Sequence, residues 1–136
     1  MRELTSHKVN PANDKLKIEV LDEPGSGGAH HLYVISGFAG EVGGPDCFMD
    51  WLEANPDADN CVISFQSGPI AEAGVNGITH EALLAILIDR MECFEKGPFA
   101  SEYNKRALFH LYEAQSRLLD RTRERMSRGV EGTHQK

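Results

Sequence analysis

Two long helical patterns of unequal length, separated by Gly97-Pro98, constrain this 136-residue chain more than any other feature. The first opens at Thr79, an N-cap residue, with Glu81 in the first turn where the helix dipole favours a carboxylate. It runs to about residue 95 and carries Leu83, Leu84, Ile86, Leu87, Ile88, Met91 and Phe94, an apolar arc too wide for one neighbour. Gly97-Pro98 stops it, and Ser101 can cap the second, which continues to about residue 127. There Ala107, Leu108, Leu111, Ala114, Leu118 and Leu119 make a narrower core-facing stripe. At about 1.5 Å rise per residue the two helices measure roughly 25 and 40 Å, so the second must overhang the first in a hairpin. The overhang needs another surface, either the β unit or another subunit. Together with the wide apolar arc, this points to a homo-oligomer.

The first half has a different period. Residues 15–21 alternate strictly, with Leu16, Ile18 and Val20 on one face, and read as a half-buried strand. A turn at residues 23–28 separates it from a second strand over 31–36, and the pair predicts an antiparallel hairpin. Residues 37–45 read as loop, 46–55 as a short helix, and 61–66 as a third strand. Residues 1–14 show no periodicity and read as a loose arm. The fold class expected is α+β. An N-terminal arm and small antiparallel β-sheet unit span residues 1–73, and an antiparallel helical hairpin with a long second helix and a tail spans 74–136. The glycine-rich stretch Gly74-Val75-Asn76-Gly77 reads as a hinge between them.

Charge is distributed unevenly. Residues 1–60 hold four basic and eleven acidic side chains and account for the net −7, while residues 61–136 hold ten of each. Against that background Arg117, Arg121 and Arg125 recur every four residues on one face of the second helix, flanked by Arg123 and Arg128. Arginine suits a planar, multi-oxygen anion such as phosphate. A solvated helix end, where arginine complements the C-terminal dipole, is the alternative. An acidic chain argues against general DNA binding, which needs many phosphate contacts. Three cysteines, Cys47, Cys61 and Cys93, form no CxxC pair and point to a reducing compartment. Residues 1–14 lack the apolar centre of a signal peptide, and the apolar run 82–88 is too short to cross a bilayer.

No catalytic constellation stands out. His30-His31 would point to opposite strand faces and has no matching ligand at metal spacing. His110 sits mid-helix beside apolar residues, and the cysteines have no recognisable histidine partner. Gly74 to Gly77 matches neither a phosphate loop nor a dinucleotide fingerprint, although it places backbone N–H groups at a helix start. No catalytic residue, metal or cofactor is expected, which favours a binder over an enzyme. Phe94 and Asn104 flank the helix turn and offer a stacking face and an edge-reading amide, the minimum for a purine. Taken alone, a phenylalanine such as Phe94 is more often a core residue.

Four stretches together resemble a phage family. They are Phe65-Gln66-Ser67-Gly68-Pro69-Ile70; Gly74-Val75-Asn76-Gly77-Ile78-Thr79-His80-Glu81-Ala82-Leu83-Leu84-Ala85-Ile86; Gly97-Pro98-Phe99-Ala100; and Arg121-Thr122-Arg123-Glu124-Arg125 through Arg128-Gly129-Val130-Glu131-Gly132-Thr133-His134. The family is the anti-Thoeris signal-sequestering sponge of the first type, whose helical hairpin is shared with the anti-CBASS cyclic-nucleotide sponge. The resemblance covers about residues 61–134. It implies a non-enzymatic phage protein in the cytoplasm of the infected bacterial host. Such a protein binds glycocyclic ADP-ribose isomers made by TIR-domain enzymes and assembles from dimers into hexamers.

By resemblance, Phe94 stacks on adenine, Asn104 hydrogen-bonds, and Arg121 and Arg125 clamp the pyrophosphate. Related members hold cyclic trinucleotides at separate sites, for which Asn76, Thr79 and Arg90 are the candidates here. This chain has Ser101-Glu102-Tyr103-Asn104 where the family often has Cys-Arg-Glu-Asn, so a neighbouring arginine is absent. The competing functions are a sponge mainly for cyclic oligonucleotides, a hydrolase of such signals, and a structural oligomer without ligand. No general acid–base pair stands near the arginines to serve the hydrolase.

Overall fold

The computed structural model describes residues 1–38 and 60–135. The chain divides after Phe65 into two compact units. Composition places the change of character at residue 74. Residues 66–73 nonetheless make their hydrogen bonds with residues of the second unit. The helix expected over 46–55 and most of the loop before it lie outside the described residues.

The first unit is a four-stranded antiparallel sheet of β1 (Arg2–Leu4), β2 (Lys17–Val20), β3 (Leu32–Ser36) and β4 (Cys61–Ser64), in that spatial order. The register pairs Val20 with Tyr33 and Tyr33 with Ile63, and Ile18 with Ile35 and Ile35 with Cys61. Cross-strand partners share a face, so the alternation read in residues 15–21 puts Ile18 and Val20 against the apolar positions of β3 and β4. Val20 is the centre of this face, only 1% exposed. Tyr33 and Phe65 meet edge to face, their centroids 5.7 Å apart.

Residues 1–14 correct the sequence reading. Arg2–Leu4 pairs with β2, and Pro11–Asp14 forms a one-turn helix, α1, with proline in the first turn. Asn10 caps it by accepting from the Asn13 N–H at 2.9 Å. Neither piece is long enough to carry a periodic signal; β1 exists because β2 offers it a ladder. Gly37 completes this corner at φ +90°. A Cβ there would stand 1.9 Å from the Lys15 carbonyl oxygen, so only glycine fits.

The second unit holds a one-turn helix α2 (Ile70–Ala73) and the expected hairpin of α3 (His80–Lys96) and α4 (Glu102–Ser127). Both caps stand where the sequence puts them. Thr79 Oγ1 accepts from Ala82 N at 3.2 Å, and Ser101 Oγ accepts from Asn104 N at 3.1 Å. With 17 and 26 residues, the helices keep the predicted inequality. The overhang is covered in part by the chain itself. After Gly129, at φ +71°, the tail turns back so that Val130 is buried, and the Gly132 carbonyl accepts from Ala71 N at 3.1 Å.

The stretch read as a hinge is pinned instead. Gln66 Oε1 accepts from Asn76 N at 3.0 Å, and Gln66 Nε2 donates to the Gly74 carbonyl at 2.7 Å. The Asn76 side chain both accepts from Ser67 N and donates to the Ser67 carbonyl. Glycine composition signals a turn, but these two amides decide that the turn is fixed.

Candidate nucleotide-binding site

Ile86, Asp89, Arg90, Cys93 and Phe94 recur at i, i+3, i+4, i+7 and i+8, and so line one face of α3. With Gly97, Pro98 and Phe99 from the turn they line an open cavity of about 500 Å³. The Arg90 guanidinium lies over the Phe94 ring, 5.1 Å from its centroid. It steadies one face of the ring through the attraction of a cation for the π-cloud. Phe94 is therefore neither core nor fully open, but a half-covered wall of a cavity. Phe99, beside it, is 72% exposed.

Asn104 faces the same turn. Its Nδ2 donates to the Phe99 carbonyl at 3.2 Å, while Ser101 N donates to the Glu95 carboxylate at 3.2 Å. Asn104 thus shapes the turn that carries Pro98 and Phe99. Its Oδ1 accepts no hydrogen bond among the described residues.

At the far end of α4 the arginines divide by partner. Asp120 faces both Arg117 at 3.4 Å and Arg123 at 3.6 Å. Arg128 is bonded to Glu124, and this contact holds the Glu124 carboxyl below, and the guanidinium above, its ordinary range. Arg125 is buried, with donors directed to the Glu131 carboxylate and to the carbonyls of Val130, Thr133 and Gln135. Arg121 is exposed and, among the described residues, has no side-chain hydrogen bond or ion pair. The stripe is therefore mostly an internal network, with Arg121 as its open member.

The four candidates form two clusters. Asn104 and Arg121 are 17 residues apart on one helix, about 25 Å, and Arg125 is a further turn away. Phe94 and Asn104 stand near the turn, and the arginines stand near the tail. The second candidate set also divides. Asn76 and Thr79 serve the loop and the α3 cap, whereas Arg90 lies 11 residues beyond Thr79, about 16 Å, in the Phe94 cavity. Sequence reasoning missed Asp89, Pro98 and Phe99 as cavity residues, although the helical spacing from Ile86 to Phe94 carried the signal for Asp89. The carbonyl partners of Arg125 have no signature in side-chain type.

Other titratable groups are placed elsewhere. The His30 and His31 rings both approach the Asp22 carboxylate, at 3.8 and 3.7 Å. Among the described residues no three His, Cys, Asp or Glu side chains are grouped to hold a metal ion. No described helix is long and apolar enough to cross a membrane.

No protein-family model matches the chain. It is 45% identical over 74 residues to Thoeris anti-defense 1 of Bacillus phage SBSphiJ7, a stretch covering 54% of this chain and 52% of that protein. The chain thus spans about half the length of its phage relative. Over that stretch, the identity supports the anti-Thoeris family to which the ordered glycine, proline and arginine motifs point.

Proposed function

We propose that the chain is a non-enzymatic anti-Thoeris protein that works in the cytoplasm of a phage-infected bacterium. It sequesters a cyclic ADP-ribose-type signal, glycocyclic ADP-ribose, in sites built from two copies of its helical hairpin. The observation that carries this reading is the separation along α4. A stacking ring and an amide stand at one end, an open arginine stands about 25 Å away, and a single small nucleotide cannot bridge them within one protomer.

A second hairpin packed antiparallel by a two-fold axis brings the turn of one copy to the tail of the other, twice over. The apolar side chains for such packing are present. Ile86 is 64% exposed and Phe109 57%, on helices where, among the described residues, Ile88 is the one buried apolar side chain. In the composite site Phe94 stacks on the base and the turn held by Asn104 closes over it. Arg121 meets the pyrophosphate. Arg125 adds positive field and orders the tail beside it. Dimers of this kind assemble further, into a hexamer by the family resemblance.

The test separates sponge from enzyme. The protein is mixed with a TIR-derived signal, the free signal is measured, and the mixture is then heat-denatured. Depletion followed by release of intact signal is expected. Release of an altered molecule indicates a hydrolase, and no depletion indicates a structural oligomer.

A further inference from the structure

The arginine clamp that the resemblance draws from Arg121 and Arg125 is short of one member. Arg125 is buried, its donors committed to the Glu131 carboxylate and to carbonyls of the tail, so its charge is already answered inside the chain. A pyrophosphate presents two anionic groups, and Arg121 alone balances one of them. Elsewhere in the second unit Arg90 and Arg106 are exposed and make no hydrogen bond or ion pair among the described residues. Of the two, Arg90 lines the Phe94 cavity. Its guanidinium rests over the Phe94 ring at 5.1 Å, and no oxygen takes any of its five N–H donors. A cation–π contact at an exposed site is weaker than charge-assisted hydrogen bonds to phosphate, so an anion entering the cavity wins the guanidinium from the ring. Asp89 also lines the cavity, unpaired with Arg90, and its carboxylate repels phosphate, which confines an anion to the Arg90 side.

We propose that Arg90 is a phosphate-binding residue of this cavity, and that the pyrophosphate is gripped by Arg90 from the turn of one copy and Arg121 from the tail of the other. The assignment rests on the nucleotide-binding reading above and gives Arg90 the direct contact that the committed donors of Arg125 do not supply. In a glycocyclic ADP-ribose the riboses and the pyrophosphate close one ring, so the phosphates stay folded near the base. A guanidinium already in contact with the stacking ring is therefore within a side chain's reach of them.

The full chain and its Arg90→Gln and Arg90→Lys variants are titrated calorimetrically with glycocyclic ADP-ribose at low and high salt. Arg90→Gln is expected to bind about tenfold to a hundredfold more weakly, and to lose less affinity than wild type as salt rises. Arg90→Lys keeps the charge without the planar fork, so it should lose less than Arg90→Gln and retain the salt dependence of wild type. Binding by Arg90→Gln within about twofold of wild type overturns the assignment. So does a weaker Arg90→Gln whose salt dependence matches that of wild type, because the guanidinium then serves only to hold the Phe94 ring. A wild type that binds no glycocyclic ADP-ribose refutes the nucleotide-binding reading itself, and the assignment falls with it.

Discussion

Arg125 Nε donates to the Glu131 carboxylate at 2.9 Å, and the same guanidinium gathers three backbone carbonyls of the tail. This arginine is the point on which residues 130–135 fold back. Arg125→Ala should release the tail and cost roughly 1.5–3 kcal/mol, since bonds to a charged group are lost and carbonyls are left to water. Chemical denaturation measures the loss. Hydrogen exchange at Val130 and Thr133, whose amides are bonded in the folded tail, should rise well before the helices open.

Arg121 makes the opposite forecast. It makes no side-chain hydrogen bond or ion pair among the described residues and acts on Glu124 only through its charge, so Arg121→Ala should melt within about 0.5 kcal/mol of wild type. Binding of the signal nucleotide should nonetheless fall by about one to two orders of magnitude. Arg117→Ala, which removes an exposed pair with Asp120, serves as the control and should bind as wild type. Rising salt should weaken wild-type binding more than that of Arg121→Ala.

Phe94→Ala should weaken binding by about 1–3 kcal/mol through loss of the stacking face. Asn104→Ala should cost less, because a neutral hydrogen bond to the Phe99 carbonyl is worth about 1 kcal/mol. Its effect should appear as a looser turn, read from the exchange rates of the backbone around Phe99.

Acid stability should depend on Asp22. Partial desolvation pushes its carboxyl up, but hydrogen bonds from the His31 and Leu32 N–H groups outweigh this and leave it below its usual 3.8. A lowered folded-state pKa stabilises above the unfolded value and is lost as pH falls through the folded one. Wild type should therefore lose stability below about pH 4, whereas Asp22→Asn should be weaker at neutral pH and flatter in acid. Denaturation midpoints across that range decide it.

Light scattering at micromolar concentration should find an assembly of dimers. A 15.0 kDa species would contradict the composite site directly.

The hairpin was legible because its signals are local. Thr79, Ser101 and Gly97-Pro98 each fix a helix end within a few residues of themselves. The β1 strand and the fixed loop at Asn76 were not, since each depends on a partner many residues away. Phe94 and Asn104 are candidates read from their place at the turn, and the structure puts both beside it. The task of Arg125 was hidden, because its partners are mostly carbonyl oxygens that every residue carries.

The distance along α4 has a genetic consequence. If the turn of one chain completes the tail of another, chains carrying Phe94→Ala and chains carrying Arg121→Ala are each inactive alone, yet can complement. In a mixed pair, the intact turn of one faces the intact tail of the other, and the second site carries both defects. Random exchange should restore about a quarter of the sites, whereas sites confined to one chain would restore none.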